Sequence, residues 1–99
     1  MRLMRTIRFK PKSKYLDDFL AVYEEVTKRA LEDGSIDQYF TAIVGDEVIY
    51  VGTFNELESD KRTIERGLGW LDKYAYMLHK YSEDEGFARI ETGTIKFER

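Results

Sequence analysis

The chain has 99 residues, 42% of them hydrophobic, and a formal net charge of −3 at pH 7. This length fits one small domain over residues 1–99. A domain of this size buries a modest fraction of its surface, so association with a second copy would increase its stability. The acidic balance gives no general attraction to nucleic acid or anionic membranes. The absence of cysteine excludes disulfides, thiol catalysis and thiolate metal sites.

No stretch approaches the roughly 18 consecutive apolar residues that a membrane-spanning helix needs. The basic start MRLMRTIRFK has no apolar core of the kind that a signal peptide carries. We therefore expect a soluble, cytoplasmic protein.

The first two elements are a strand and a helix. Residues 3–10 alternate, with Leu3, Arg5, Ile7 and Phe9 on one side, and Pro11 closes the strand. Apolar residues then recur at helical spacing over residues 16–31. Ser13 is the candidate N-cap and Gly34 the natural stop.

A β-hairpin follows. Residues 36–44 form one apolar strand run, Gly45 and Asp46 suit a tight turn, and residues 47–54 return with apolar residues on both faces. A strand of that kind is typical of a sheet that is covered on both sides.

The remaining chain predicts a second helix over about residues 60–81, weakened by Gly67 and Gly69, and a last strand over residues 94–98. The resulting order, βαββαβ, is that of an α+β ferredoxin-like unit with an antiparallel sheet and two helices on one face. The other sheet face then needs a cover, and a homodimer formed sheet to sheet supplies it.

This arrangement resembles the dimeric α+β barrel superfamily, and within it the antibiotic-biosynthesis-monooxygenase-like domains. The segment IRFKPKSKYLDDFLAVYEEV resembles the first strand, turn and long helix of that family. The segment VIYVGTFNELESDKR resembles its return strand, with Phe54 where many members have Trp.

The resemblance implies a ligand pocket between sheet and helices, and a chemistry that needs neither metal nor flavin as cofactor. Some members of the superfamily oxidise quinol-type aromatic substrates, and others degrade haem with an Asn on the first strand. Here that strand has no Asn and Asn55 follows the third strand, which argues against haem degradation.

The segment GLGWLDKYAYMLHKYSEDEG holds the only Trp and the only His of the chain. Trp70 and His79 are nine residues apart, about 180° around a regular helix, so they cannot both line one small pocket. Trp70 fits either a stacking surface for a planar ligand or a packing anchor. His79 fits either a general base or a boundary histidine bonded to a carbonyl or to water.

Arg5 shares a strand face with apolar residues. If that face lies under the helices, the guanidinium needs a carboxylate or a ligand anion; otherwise Arg5 lies at the strand end and reaches water. The resemblance makes Arg5 and His79 the catalytic candidates. Three tyrosines and the tryptophan are the candidate ligand-binding residues: Tyr23, Tyr50, Trp70 and Tyr74.

Phosphate loops, GxSxG, HExxH and zinc-type spacings are absent from the sequence, so no metal site is predicted. Two functions fit these observations. One is a monooxygenase-like protein that binds a small aromatic or apolar ligand. The other is a non-catalytic homodimeric binding or assembly module, in which the aromatic residues fill the core and the interface.

Overall fold

The computed structural model describes residues 2–55 and 69–98. Its elements are, in chain order, β1 (Arg2–Pro11), α1 (Leu16–Glu32), β2 (Gln38–Val44), β3 (Glu47–Asn55), α2 (Leu71–Tyr74), β4 (Leu78–His79) and β5 (Ala88–Thr94). The strands form one antiparallel sheet in the order β2-β3-β1-β5, and β4 pairs with the last two residues of β1. This α+β architecture is compatible with the predicted ferredoxin-like unit.

The two faces of the sheet differ in what covers them. The inner face, which α1 covers, has Leu3, Arg5, Ile7 and Phe9 on β1 and Val48, Tyr50, Gly52 and Phe54 on β3. The opposite, outer face has Met4, Thr6, Arg8 and Lys10 on β1 and Glu47, Ile49, Val51 and Thr53 on β3. The alternation read from the sequence therefore assigns these two strands correctly.

The core lies between α1 and the inner face. Phe9 is fully buried, and its ring centroid is 5.0 Å from those of both Phe19 and Tyr23 on α1. Val48 and Leu78 are also enclosed. Edge-to-face and tilted aromatic contacts of this kind add to the hydrophobic gain from burial, so they fix α1 above the sheet.

Helix α1 is close to its predicted extent, and its ends show one difference. Gly34 has φ +82°, the left-handed conformation that ends a helix after its last turn. Ser13 does not cap the helix; it begins a 3-10 turn, Ser13–Tyr15, that leads into it. The cap position falls on Tyr15, which makes no side-chain capping hydrogen bond.

The predicted hairpin is confirmed. β2 and β3 are joined by Gly45 and Asp46, and of these two only Gly45 has a positive φ, at +63°. That pattern is consistent with a type II′ turn, whose twist matches the twist of the flanking strands.

The helix predicted over residues 60–81 is wrong in its described part, and its residues 60–68 lie outside the described residues. Helix α2 covers only Leu71–Tyr74, a 3-10 turn follows, and Leu78 and His79 form β4. The backbone N–H of Lys12 donates to the carbonyl of Met77 at 2.7 Å, and Pro11 pairs with Leu78. Pairing with β1 and burial of Leu78 thus override a helical apolar period.

The last strand also begins earlier than predicted, because β5 covers Ala88–Thr94 and not residues 94–98. Its register is set by pairing with β1. The β5 residues on the inner face are small or half-buried: Ala88, Ile90, Thr92 and Thr94. Small side chains give only a weak alternation of apolar and polar residues, so the sequence pattern did not predict this strand. Its position is determined by pairing with β1.

A charged clasp joins the two ends of the chain to the hairpin. The Arg2 guanidinium pairs with the carboxylates of Asp37 and Glu98, and it donates to Glu98 from Nε at 3.1 Å and Nη2 at 3.0 Å. The Thr53 hydroxyl donates to Asp37 at 2.6 Å. Hydrogen bonds from Arg2 hold the pKa of both carboxyl groups below their ordinary values.

We predict that Phe9→Ala lowers the free energy of unfolding by about 3–5 kcal/mol, because it opens a cavity between α1 and β1. Phe97→Ala is the matched control, since Phe97 is 95% exposed and its truncation should change stability by less than about 0.5 kcal/mol. Urea unfolding of the two variants measures both values. Similar losses in the two variants would contradict this description of the core.

A second prediction concerns the clasp and pH. A carboxyl whose pKa is lowered by folding contributes stability that is complete above its unfolded pKa, about 3.9 for Asp, and lost as the pH falls through its folded pKa. Asp37→Asn should therefore be less stable than wild type at pH 7, and the difference should shrink below about pH 4.

Urea unfolding at several pH values measures this difference. Asp84→Asn is the control, because Asp84 lies exposed in a turn and has no ion pair among the described residues. A gap between Asp37→Asn and wild type that stays constant from pH 7 to pH 3 would contradict the role given to Arg2.

Candidate functional site

Arg5 lies in a row of residues that crosses four strands of the inner face. The β-sheet register places it opposite Thr92 on β5 and Gly52 on β3, and Gly52 opposite Tyr39 on β2. Arg5 is only 7% exposed. The interpretation in which it reaches water from the strand end is therefore excluded, and the interpretation of a guanidinium buried on the inner face remains.

The described contacts hold the Arg5 guanidinium at two points. Its Nε donates to the Thr92 hydroxyl at 3.2 Å, and its Cζ lies 4.7 Å from the centroid of the Phe54 ring. A buried cation is stabilised by hydrogen bonds, by an opposite charge and by the electron-rich face of an aromatic ring. Arg5 is thus a positive group placed inside a mostly apolar layer.

Tyr50 extends along β3 toward this row. A Cβ atom built on Gly52 would lie 2.5 Å from the Tyr50 Cζ and closer still to its hydroxyl oxygen. The ring therefore occupies space that any side chain at position 52 would fill. Burial raises the pKa of Tyr50 to about 12, and the positive charge of Arg5 acts against that rise.

An aromatic cluster lies on the other side of Tyr50. The Tyr23 ring is 5.6 Å from that of Tyr50 and 5.7 Å from that of Trp70, and Trp70 is 6.1 Å from Tyr74. Burial raises the pKa of Tyr23 well above its ordinary value, so its hydroxyl is protonated at neutral pH. The fold therefore joins these four candidate residues through ring contacts.

The indole nitrogen of Trp70 is buried and has no hydrogen-bond partner among the described residues. A buried N–H group without a partner costs roughly 1–3 kcal/mol. Trp70 is thus both a packing anchor against Phe9 and Phe19 and a buried donor that could serve an acceptor atom.

His79 does not join this group. It is exposed in β4 and pairs with Lys10, so its side chain shares the outer face with that lysine. Arg5 and His79, the two catalytic candidates, therefore lie on opposite faces of the sheet.

The sequence reasoning did not single out Gly52 or Thr92 as site residues. An isolated glycine inside a strand often marks a place where another group approaches the backbone closely, so position 52 carried a usable signal. Thr92 carried none, because its position depends on the register between β1 and β5.

A polar cluster lies on the outer face, where β1 ends and β3 begins. The Tyr81 hydroxyl donates to Glu47 at 2.5 Å, and the ring has Lys10 Nζ at 5.0 Å and Arg89 Cζ at 4.3 Å from its centroid. Arg8 pairs with Glu47 at 3.6 Å. Burial first, and then the bond to Glu47, raises the pKa of Tyr81. Each positive group here has a carboxylate or a ring beside it.

Within residues 2–55 and 69–98, no group of three or more histidine, aspartate or glutamate side chains could hold a metal ion. Over the same residues, no helix is long and apolar enough to cross a membrane.

No protein-family model and no curated protein matches the chain. Solved structures do resemble it. Rv0793 from Mycobacterium tuberculosis is 15% identical with a TM-score of 0.63, and the match covers 99% of this chain and 98% of that one. NE2512 from Nitrosomonas europaea, a protein of unknown function, is 14% identical with a TM-score of 0.64, covering 99% and 92%.

A nipsnap family protein of unknown function from Agrobacterium tumefaciens is 18% identical with a TM-score of 0.59, and the match covers 93% of this chain and 86% of that one. At such low identities a structural likeness establishes the architecture and no activity. The chain thus has the small α+β fold of these proteins.

Proposed function

We propose that the chain is a single-domain, monooxygenase-like protein that binds a small aromatic or otherwise apolar ligand between the inner face of the sheet and its helices. The observation that carries this proposal is the burial of Arg5, a permanent cation, on a face lined by tyrosines and phenylalanines. Such a surface combines stacking rings with one charge, which is how small-ligand sites commonly orient an apolar molecule.

The aromatic cluster supports the same proposal. Trp70 offers a ring face and an N–H group that no described residue uses, and ring contacts through Tyr23 join it to Tyr50, whose hydroxyl lies over Gly52. A planar ligand could stack on the rings while an oxygen atom accepts hydrogen bonds.

The oxidation implied by the family resemblance is one that an arginine can assist. A phenol-type substrate loses a proton to become an electron-rich phenolate, and Arg5 would stabilise that anion. Dioxygen then converts one ring C–H carbon into a carbonyl: the substrate loses its hydroxyl proton and that ring hydrogen and becomes a quinone, and the second oxygen atom leaves as water. Because His79 lies on the outer face, water is the proton acceptor in this scheme.

A second candidate function, a non-catalytic homodimeric module, is favoured by the outer face. Phe40 is 63% exposed there, and Met4 and Val44 on the same face are also exposed. The half-buried Ile49 and Val51 continue this band across β3. An exposed apolar band of this kind is typical of a protein–protein contact, and a sheet-to-sheet homodimer would cover it.

For the leading proposal, we predict that Arg5→Met abolishes ligand binding. In a thermal-shift screen with haem, quinols, flavonoid-like phenols and fatty acids, wild type should gain melting temperature with one planar class, because a ligand that binds the native state stabilises it by mass action. Arg8→Met is the matched control: it removes the same charge from the same strand on the outer face, and it should behave as wild type.

Circular dichroism of Arg5→Met shows whether the fold is kept, and oxygen uptake with the binding class tests turnover. If no compound shifts the melting temperature of wild type, or if both variants still respond, the ligand-binding proposal is wrong. The first of these results would favour the non-catalytic module.

For the dimer, we predict that Phe40→Lys converts a dimer into a monomer, because it places a charge in the apolar band of the outer face. Leu31→Lys adds the same charge at a 42% exposed position on α1 and should leave the dimer intact. Sedimentation velocity of the three proteins measures the mass. A monomeric wild type, or equal dissociation of both variants, would contradict an interface at this face.

A further inference from the structure

We infer that the open edge of β5 is a contact for a second copy of this chain, which pairs with it antiparallel about a two-fold axis through Ile90. The sheets of the two copies then continue into one another. This contact lies outside the proposed ligand site. It also differs from the outer-face contact, since it joins strand edges and leaves both faces of the sheet open.

The edge of β5 is available for pairing. In the described part of the chain β5 pairs with β1 alone, so its other side is an edge of the sheet. An open groove of about 550 Å³ lies beside it, lined by Glu85, Ala88, Arg89, Ile90 and Glu91. An exposed strand edge presents backbone N–H and C=O groups with which a further strand can pair. Ile90 is only half-buried there, and such a strand would cover it.

The charges of β5 select one register for a second copy. Residues that face each other across two antiparallel strands have their side chains on the same face, so the two-fold axis must pass through a residue. An axis through Ile90 places Arg89 opposite Glu91 of the second copy, and Glu91 opposite Arg89 of that copy. An axis through Arg89 or through Glu91 places like charges opposite each other. Opposite charges in such positions stabilise a strand pair, and like charges destabilise it.

The surroundings of these two residues favour the same register. Arg89 is the direct cross-strand neighbour of Arg8, so two guanidinium groups share this part of the outer face. Nη2 of Arg89 donates to Glu85 at 3.3 Å, while its Nη1 makes no hydrogen bond to a described residue. Glu91 is exposed, and none of the ion pairs within residues 2–55 and 69–98 involves it. A second copy therefore brings an unpaired carboxylate to a guanidinium that has a donor available.

The other edge strand, β2, lacks this pattern. None of its residues, Gln38–Val44, is charged, so charge favours no register there. Charges on an edge strand commonly prevent pairing. On β5 the two charges have opposite signs and lie symmetrically about Ile90, so a copy of the same strand is the partner that pairs both of them.

The first test uses single cysteines, because the chain has none of its own. Ile90→Cys lies on the proposed axis, where the two Cα atoms are about 4.5–5.5 Å apart, within the range of a disulfide. Gly93→Cys is the matched control on the same strand, since a Cβ atom there meets no atom within 4 Å. Position 93 pairs with Phe87 of the second copy, so two such cysteines are about 20 Å apart. Thr41→Cys probes the edge of β2.

We expect oxidation with diamide to convert Ile90→Cys into a covalent dimer on a non-reducing gel. Gly93→Cys and Thr41→Cys should remain monomeric on the same gel. Adding Glu91→Arg to Ile90→Cys should remove the cross-link, because that change places like charges opposite each other at both positions beside the axis.

The second test reverses the charges and measures association by sedimentation velocity. Arg89→Glu and Glu91→Arg should each weaken association by about tenfold or more. An equimolar mixture of the two variants has opposite charges at both positions and should associate as wild type does. Lys28→Glu, an equal charge reversal at an exposed position on α1, should match wild type. Measurements with and without Phe40→Lys separate this contact from association through the outer face.

Rescue by mixing cannot come from a general loss of structure, because each variant would carry that loss into the mixture. If Arg89→Glu fails to fold, Glu91→Arg keeps the test decisive, since Glu91 has no ion pair to lose among the described residues. Circular dichroism shows whether each variant is folded.

Three results overturn the contact. They are a wild type that sediments as a monomer at every concentration, equal association of wild type and Glu91→Arg, and a cross-link through Thr41→Cys in place of Ile90→Cys. None of these results changes the expected binding of a ligand at the inner face, so the contact can fail while the proposed function stands.

Discussion

The central strand β1 places a phenylalanine and an arginine on the same covered face, and the rest of the inner layer is arranged around these two residues. Phe9 is fully buried, and its ring contacts Phe19 of α1 and Trp70. Arg5, four residues earlier on the same face, is buried beside Thr92 and Phe54. One half of the layer is therefore an aromatic core, and the other half contains a buried positive charge.

These two halves meet at Tyr50. Its ring contacts Tyr23 from the aromatic half, and its hydroxyl extends toward the Arg5 row. A tyrosine suits such a boundary because its ring is apolar and its hydroxyl is a hydrogen-bonding group. The aromatic core thus fixes the geometry of the polar half, since a movement of α1 would displace the ring that carries the hydroxyl.

The outer face has two clusters of paired charges, one toward each end of β1. The Arg2 clasp holds one end, and the pairs around Glu47 and Tyr81 hold the other. The apolar band with Phe40 and Val51 lies between them. Charged groups at the ends of an apolar band favour one alignment of a partner, because a shifted partner would bury those charges. A second copy aligned on this band would therefore leave both clusters at the rim.

Local pattern in the sequence was sufficient for β1, α1 and the β2–β3 hairpin, because alternation, helical spacing and turn glycines act within a few residues. It failed at Leu78 and in β5, where long-range pairing with β1 decides the structure. The same reason separates His79 from Arg5: the pairing with Lys10 places the histidine on the outer face.

Two residues of the inner face, Arg5 on β1 and Gly52 on β3, lower the stability of the strands that contain them. Glycine lowers the stability of a strand interior by roughly 0.5–1 kcal/mol relative to alanine, and a buried guanidinium loses its hydration. Alanine at position 52 and a methionine at position 5 would suit the local rules of a covered strand better. Natural sequences keep such exceptions mainly where function requires them. Because Arg5 and Gly52 are direct cross-strand neighbours, the two exceptions fall at one place in the sheet, where the Tyr50 ring occupies the space that a side chain at position 52 would need.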